Sequence, residues 1–360
     1  MIKKSILIIC PFPQGVAAGQ RLKYEQYFKH WQKNGYKITV FPFMAIAMWK
    51  IVYSEGNYIL KILGTLRGYL RRVHNLFYIS RYDVVYIHMW VTPFGTTLFE
   101  RITRKLSRKL IYDIEDNAIM GVDSDVNSFV QFLKNPNKIN FLIRRSDHVI
   151  TSSPSLNDYC LNLNDKKKCT YISSSVDTDI FLPVNKYKND KKIVIGWTGT
   201  FSSKKYLNLL RPVFIELSKQ FKFKLLIIGN FEYDILGVDL EVIQWSKKNE
   251  VKDLQRIDIG VYPLSKDEWV LGKSGLKAIQ YMAFGLPTVA TDIGTTSIII
   301  KHKENGYLVN SEEEWLHSLG ELIRNPELRK RLGSKARELV VQSYSINATK
   351  MKYLSIISKD

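Results

Sequence analysis

The sequence contains only three cysteines, Cys10, Cys160 and Cys169, in 360 residues. Their spacing does not fit a metal site, and an odd number cannot form a complete disulfide framework. Low cysteine content is typical of a reducing compartment. No cluster of His, Cys and Asp residues indicates a metal site, and the D-x-D at 123–125 follows no apolar strand. The sequence therefore predicts a protein without disulfides and without a bound metal.

Long apolar runs are also missing. The longest, Ile38–Trp49, contains Pro42 and is too short to cross a bilayer. The first residues, Met1 to Lys4, lead directly into a short apolar strand, so we expect no secretory signal. No strand is followed by G-x-G-x-x-G, which disfavours a dinucleotide-dependent dehydrogenase.

Acidic residues are few relative to basic ones, and the net charge is +19. Residues 1–182 contain 25 Lys and Arg against 14 Asp and Glu, so the excess leans toward the first half. Such a charge favours an anionic partner such as nucleic acid, anionic lipid or a phosphorylated sugar. The alternative is that the charge serves only solubility.

The pattern of apolar runs predicts an α/β protein. In the first half, buried-type strands at 4–10, 36–41, 83–88 and 109–113 alternate with helical sequence, including a helix over 21–33. After a polar stretch, Asn185–Lys192, the pattern restarts with strands at 193–196, 224–229, 257–262 and 287–291 and a helix over 207–221. This predicts two Rossmann-like units, with ligands bound beyond the carboxyl ends of the strands and in the cleft between the two sheets.

One block near the C-terminal end is rich in binding chemistry. Residues 259–290 read as a strand, a loop, a short helix that begins at Ser274-Gly275 and ends at Gly285, and a second strand. Ser before a helix is a common cap, and free N–H groups at a helix start attract phosphate. Lys273, Lys277 and Gln280 follow at spacings of four and three. The alternative is an ordinary solvated helix face.

This block, GKSGLKAIQYMAFGLPTVA, resembles the nucleotide-sugar signature of retaining GT-B glycosyltransferases of the group one, or family 4, type. Further similar stretches are IGWTGT at 195–200, NGYLV at 305–309, YS at 344–345 and VDTDIF at 176–181. In the first half, 83–88, 111–116 and 146–153 also fit. The resemblance implies a GT-B fold of two Rossmann-like domains facing across a cleft. We expect the acceptor-binding domain over 1–185, the donor-binding domain over 190–344, and the last helix, about 345–360, packed back on the first domain.

The resemblance also implies site residues in the second domain. These predicted donor-binding residues are Gly199, Thr200, Lys204, Lys205, Lys273, Ser274, Gly275, Leu276, Lys277 and Gln280. The family's two glutamates, eight positions apart, fall on Gly272 and Gln280 here. Gln280 can still hydrogen-bond a ribose hydroxyl, and Asp267 or Glu268 is a candidate for the missing first carboxylate. Trp197 stands where the family often has an Arg, so which lysine meets which phosphate is left open. The D-x-D at 177–179 lies in a structural linker of the family.

Polar residues at strand ends suggest the second half of the site. Asp113, Glu115 and Asp116 follow one predicted strand and His88 ends another. Ionised groups resist burial, so these are the candidate catalytic residues. A solvated helix cap and a structural histidine are the alternatives. The family has a flexible glycine loop beside the sugar at the position of Gly15 and Gly19, so the resemblance adds both to the predicted binding residues. Arg21 is either a partner for an anionic acceptor or a residue on a helix surface.

The stretch Trp49–Arg72 alternates apolar residues with Lys and Arg. We favour contact with an anionic membrane surface; an ordinary helix covering the sheet is the alternative.

Together with the resemblance, these features predict a metal-independent glycosyltransferase at the cytoplasmic face of the cell membrane, and the resemblance implies that the donor linkage is retained. It would use a nucleotide diphosphate sugar, UDP- or GDP-linked, and a lipid-linked or surface-polysaccharide acceptor, without any further cofactor and without nucleic acid. A GT-B sugar-nucleotide epimerase and a non-catalytic nucleotide-sugar-binding protein remain as alternatives.

Overall fold

The computed structural model describes residues 4–115, 135–184 and 192–358, which form two α/β units, each with one parallel sheet. The first unit comprises Met1–Ser173 and Lys350–Asp360, and the second Ser174–Thr349. Each contains one six-stranded sheet, so the prediction of two Rossmann-like domains is confirmed. Most of the predicted linker, at 185–191, lies outside the described residues.

The sheet of the first unit has the strand order β2-β1-β3-β4-β5-β6, with every neighbouring pair parallel. Its strands are β1 (Lys4–Cys10), β2 (Tyr36–Pro42), β3 (Val84–His88), β4 (Lys109–Ile114), β5 (His148–Thr151) and β6 (Cys169–Tyr171). Residues 6–10 and all of β3 are buried, as expected when helices cover both faces of a parallel sheet.

Seven helices accompany this sheet among the described residues. They are α1 (Ala18–Arg21), α2 (Phe28–Lys33), α3 (Ile46–Ile51), α4 (Tyr58–Ile79), α5 (Leu98–Leu106), α6 (Asn137–Arg145) and α7 (Pro154–Leu163). The single helix predicted over 21–33 is wrong, because α1 and α2 are separated by a turn and a 3₁₀ segment at Glu25–Tyr27. Glu25 Oε2 accepts a hydrogen bond from Gly15 N at 2.8 Å, which fixes this turn against the loop after β1.

The sheet of the second unit has the order β12-β11-β10-β7-β8-β9, again all parallel. Its strands are β7 (Ile193–Thr198), β8 (Phe223–Gly229), β9 (Leu240–Gln244), β10 (Ile259–Tyr262), β11 (Thr288–Thr291) and β12 (Gly306–Val309). The sequence did not predict β6 or β9. Both are edge strands without fully buried residues, so neither shows the continuous apolar run of a central strand.

The helices of the second unit are α8 (Lys204–Asn208), α9 (Arg211–Gln220), α10 (Glu250–Leu254), α11 (Leu276–Ala283), α12 (Thr296–Ile299), α13 (Glu312–Arg324) and α14 (Pro326–Leu339). The helix predicted over 207–221 begins only at Arg211. Pro212 explains this, because proline is tolerated in the first turn of a helix and not in its interior. The final helix, α15 (Ile346–Ser358), contributes Tyr353, whose ring packs on Tyr27 at 4.6 Å in the first unit.

Each sheet has one point at which the strand order reverses. In the first sheet it lies between β1 and β3, and in the second between β7 and β10. Ligands of open parallel sheets bind beyond the carboxyl ends of the strands at such a point. No helix of the described ranges combines the length and the hydropathy that a membrane-crossing segment needs.

Candidate functional site

The helix α11 begins with a backbone conformation that requires glycine. Gly275 precedes its first residue with φ 72° and no side chain caps the helix start. A larger residue would be strained by this φ, and its Cβ would lie 2.4 Å from Ile299 Cδ1, which would have to shift. The predicted cap Ser274 is therefore wrong; its hydroxyl instead accepts a hydrogen bond from Ser174 Oγ at 2.9 Å.

The first two turns of α11 lie against the reversal point of the second sheet. The Tyr281 hydroxyl accepts a hydrogen bond from Thr198 N, the last residue of β7, at 2.8 Å. Lys277 Nζ lies 5.8 Å from the ring centroid of Trp197 and 5.4 Å from that of Tyr262, the last residue of β10. The start of α11 and its first lysine are thus placed where the fold predicts a ligand.

Two further lysines meet at one aromatic ring. Lys205 Nζ and Lys273 Nζ each lie 5.4 Å from the ring centroid of Tyr206. Thr295 Oγ1 donates to the carbonyl oxygen of Lys273 at 2.6 Å, which holds the segment before α11. Lys205, Lys273 and Lys277 thus bring three ammonium groups to this region, and ammonium groups are suited to bind phosphate.

Lys204 points elsewhere. Its Nζ donates to the carbonyl oxygen of Glu232 at 2.9 Å and lies over the rings of Phe231 and Tyr233. Of the four lysines that the sequence left open, Lys204 is the one committed to the loop after β8. A phosphate role for it remains a prediction.

The glycine turn after β7 is held by hydrogen bonds that its backbone N–H groups donate. Gly199 N donates to Ile228 O at 3.0 Å, and Thr200 N donates to Ser203 Oγ at 3.1 Å. Ser203 N in turn bonds Thr200, so the residues form a capped 3₁₀ turn. Both residues shape the end of β7, and their contact with a donor remains a prediction.

The remaining signature residues differ in exposure. Gln280, one turn beyond Lys277, is only 5% exposed, whereas Leu276 is half-buried. Gly272 is buried where the family has its first glutamate. Asp267 Oδ1 accepts a hydrogen bond from Val270 N at 3.1 Å, so it caps the short turn that precedes Lys273. That Asp267 replaces the missing carboxylate remains a prediction. Its side chain would then have to meet the donor sugar as well as cap this turn.

In the first unit, Asp113 is buried in an ion pair that the sequence did not indicate. The Lys23 Nζ lies 2.5 Å from Asp113 Oδ1, and both side chains are fully inaccessible. Lys23 Nζ also donates to Ile114 O at 3.2 Å, and the Tyr86 hydroxyl donates to the other Asp113 oxygen. Burial raises the pKa of Asp113, but Lys23 and His88 outweigh it and hold that pKa below its ordinary value. Asp113 is thus a buried carboxylate kept ionised by a lysine.

His88 ends β3 directly opposite Asp113 in the sheet register. Its Nδ1 lies 3.8 Å from Asp113 Oδ2, too far for a hydrogen bond, and its ring packs on that of Tyr24 at 5.0 Å. Burial lowers the pKa of His88 below its ordinary value, and Asp113 offsets only part of this effect. The imidazole is therefore neutral around pH 7.

Glu115 is the more accessible carboxylate, with 16% of its side chain exposed. Its Oε1 lies 3.9 Å from Lys23 Nζ. A Cβ on Gly19 would lie 2.7 Å from Glu115 Oε2, so the glycine permits the close approach of the glycine loop and the end of β4. Gly15 donates to Glu25 in the same loop. The structure thus brings Gly19, Lys23, His88, Asp113 and Glu115 together, while Asp116 lies outside the described residues.

Replacing His88 with Gln is expected to reduce the acid sensitivity of folding. The folded-state pKa of His88 lies below its unfolded value of about 6.5, so the unfolded chain binds more protons as the pH falls through this range. Stability contributed by neutral His88 is present above pH 6.5 and is lost below it, by at most about 1.4 kcal/mol per pH unit. Urea unfolding at pH 7.5 and 5.5 measures this. Equal losses in the wild type and His88→Gln would contradict it.

The sequence analysis did not identify Lys23, Tyr24 or Tyr86 as part of this cluster, and for Lys23 the reason is physical. A lysine in a helical stretch is normally a surface residue, and nothing local marks Lys23 as buried. The usable signal is indirect, because three acids at the end of β4 require a counter-charge if any one of them is buried.

Across the described ranges, no group of three His, Cys, Asp or Glu residues is arranged to hold a metal ion.

Residues 181–339 match the model of the family Glycosyl transferases group 1. An uncharacterised glycosyltransferase of Haemophilus influenzae is 30% identical over 197 residues, which are 51% of this chain and 54% of that protein. The N-acetyl-alpha-D-glucosaminyl L-malate synthase of Bacillus anthracis is 23% identical over 67% of this chain and 65% of its own length. The chain thus spans less than two thirds of either relative.

Two solved structures share the fold over nearly the full length. A sucrose-phosphate synthase from Thermosynechococcus elongatus gives a TM-score of 0.72 at 15% identity. The alignment covers 99% of this chain and 98% of the synthase chain. The Anabaena protein HepE in complex with UDP and glucose gives 0.66 at 14% identity, covering 99% and 100%. The predicted GT-B fold is therefore confirmed, and the resemblance to group 1 glycosyltransferases is confirmed over residues 181–339.

Proposed function

We propose that this protein is a retaining, metal-independent glycosyltransferase that uses a nucleotide diphosphate sugar. In this reaction the bond from the anomeric carbon to the diphosphate breaks, and a bond to an acceptor hydroxyl forms with the same configuration. The hydroxyl proton leaves with the diphosphate or with a side chain. The observation that carries the proposal is Lys277 at the uncapped start of α11, placed at the ends of β7 and β10.

The leaving diphosphate is the group that this arrangement suits. Its negative charge develops as the glycosidic bond breaks, and stabilising it lowers the barrier. Helix N–H groups of α11 and the ammonium groups of Lys205, Lys273 and Lys277 would supply that stabilisation. Gln280, on the same helix face as Lys277, would hydrogen-bond the ribose. UDP is the first nucleotide to test, since HepE was solved with it.

The acceptor would be bound by the first unit. The neutral His88 and the partly exposed Glu115 lie at the carboxyl edge of its sheet, where they would hold sugar hydroxyls or receive a proton. Asp113 would position them through Lys23. The basic first half suits an acceptor carried on an anionic surface, and we propose a lipid-linked or surface-polysaccharide acceptor at the cytoplasmic face of the membrane.

A thermal-shift screen against UDP, GDP, ADP, CMP and NAD tests the donor class. One nucleoside diphosphate is expected to raise the melting temperature by several degrees, because a ligand at a hundred times its Kd stabilises the folded state by about 2.7 kcal/mol. Lys277→Ala is expected to lose most of this shift, while Lys222→Ala, at an exposed lysine outside the site, keeps it. A shift with NAD alone, or an unchanged shift in Lys277→Ala, would contradict the assigned site.

A second candidate is a non-catalytic nucleotide-sugar-binding protein. The observation in its favour is Gly272, which leaves the family's first carboxylate position without an acid. Incubation with the donor that gives the thermal shift separates the candidates. Sugar transfer to an acceptor supports the transferase, a changed nucleotide sugar without transfer indicates an epimerase, and binding without turnover supports the binding protein.

A further inference from the structure

Helix α4 exposes a face of apolar residues, whereas an ordinary surface helix exposes polar residues and buries its apolar face. Seven large apolar residues lie along one face of α4, mostly at spacings of three or four positions, and are between 44% and 74% exposed. We call them the α4 stripe: Ile59, Ile62, Leu63, Leu66, Leu70, Val73 and Phe77. At 1.5 Å per residue, the stripe extends about 27 Å along the helix from Ile59 to Phe77. Single exposed apolar residues are normal, but a continuous stripe of this length marks an interaction surface.

The inner face of α4 explains why the stripe cannot turn inward. Gly64 and Gly68 allow close packing, since a Cβ on Gly68 would lie 2.5 Å from the Phe43 ring. Arg72, 1% exposed, donates to three carbonyl oxygens: Cys10 at 2.8 Å, Phe41 at 2.7 Å and Val91 at 2.7 Å. These bonds fix the rotation of the helix about its axis. The stripe is therefore a permanent feature of the folded first unit.

The same arginine places α4 at the functional edge of the sheet. Cys10 is the last residue of β1, Phe41 lies one residue before the end of β2, and Val91 follows the end of β3. The carboxyl ends of β1 and β3 flank the reversal point of the first sheet, and β2 lies beside β1. Whatever covers the stripe lies close to the edge where the acceptor is proposed to bind.

We propose that the α4 stripe docks on a bilayer surface that contains anionic lipid. The charge of the helix favours this occupant over a second copy of the chain. Among the charged residues of α4, Arg72 is buried, Arg67 is exposed, and Lys61 and Arg71 are half-buried; the helix contains no Asp or Glu. A pair of stripes would bring Arg67 of both copies to one interface without an acid between them, whereas anionic headgroups neutralise it. An apolar face with basic flanks is the pattern of helices that lie in the membrane interface.

The sequence interpretation of 49–72 is thereby refined. Tyr69 and Arg72 point inward, with the Tyr69 hydroxyl bonded to Phe94 O at 2.7 Å, while Val73 and Phe77 extend the outer face beyond residue 72. The docking of α4 stands without the proposed sugar transfer. Only its link to a lipid-linked acceptor rests on the proposed function.

Co-sedimentation of the full chain with phosphatidylcholine vesicles, with and without phosphatidylglycerol, tests the docking. The wild type is expected to bind the phosphatidylglycerol vesicles. The variant Leu66→Gln, Leu70→Gln, Phe77→Gln is expected to bind them about tenfold more weakly or worse, which corresponds to 1.4 kcal/mol or more. A matched control, Ile215→Gln, Leu236→Gln, Met351→Gln, also replaces three exposed apolar residues and is expected to bind as the wild type does.

The outcomes are separable. Circular dichroism and the nucleotide thermal shift are expected to be unchanged in both triple variants, so a loss of docking is distinct from a failure of the donor site. Wild-type binding in the α4 variant, or no wild-type binding to either vesicle, would overturn the proposal. Light scattering covers the other occupant: a wild-type dimer that the α4 variant converts to monomer, without vesicle binding, would assign the stripe to a second copy.

Discussion

Replacing Lys277 with alanine is expected to lower kcat/KM for the nucleotide sugar by about 100-fold or more, because removing one group that stabilises developing negative charge commonly costs that much. Lys277 is the lysine placed over Trp197 and Tyr262, at the ends of adjacent strands and two residues after the uncapped helix start. The rate of nucleoside diphosphate release, with the donor selected by the thermal screen, measures the effect.

Lys277→Met separates charge from packing. Methionine keeps an unbranched apolar stem that packs on the two rings, but it has no ammonium group. We expect its activity to be as low as that of Lys277→Ala, whereas Lys277→Arg recovers part of it. Full activity in Lys277→Met would show that the ring contact, and not the charge, is what the site needs. Lys222→Ala is the control for loss of a positive charge elsewhere.

The central strands were predictable because their physics is local. Runs of four or five mostly apolar residues, as in β1, β3 and β10, are typical of strands buried on both faces of a parallel sheet. The edge strands β6 and β9 were not predicted, since neither contains a buried residue and neither shows a continuous apolar run. Predicting α9 four residues too early has the same origin. Apolar periodicity runs through Leu207–Leu210, and only Pro212 marks the true start.

The site was predictable in its signature and not in its long-range partners. The local sequence motif was enough to predict Gly275 and Lys277 as site residues. The rotation of α11 about its axis depends on the hydrogen bond between Tyr281 and Thr198, which are 83 positions apart. The stripe on α4 shows the same limit. Its amphipathic pattern is visible in the sequence, but glycines and an arginine mark the buried face, where apolar residues would be the ordinary expectation.

Replacing Asp113 with Asn is expected to destabilise the first unit by about 3–5 kcal/mol, because it leaves the buried ammonium of Lys23 without its counter-charge. The two side chains are fully inaccessible and 2.5 Å apart, so water cannot compensate the loss. Urea denaturation of the first unit measures the effect. The exposed pair Arg145–Asp165, at 3.1 Å, supplies the control; Asp165→Asn is expected to change stability by less than about 1 kcal/mol.

A double-mutant cycle decides whether the pair acts as a unit. Lys23→Met alone leaves a buried carboxylate and is expected to cost as much as Asp113→Asn. The double variant is expected to cost less than the two single changes combined, by about 1–3 kcal/mol. Additive costs would show that the two groups are not coupled. If Asp113→Asn instead keeps its stability and loses only turnover, Asp113 is a catalytic carboxylate as the sequence predicted. A large loss of stability assigns it the positioning role, and leaves His88 and Glu115 as the groups that meet the acceptor.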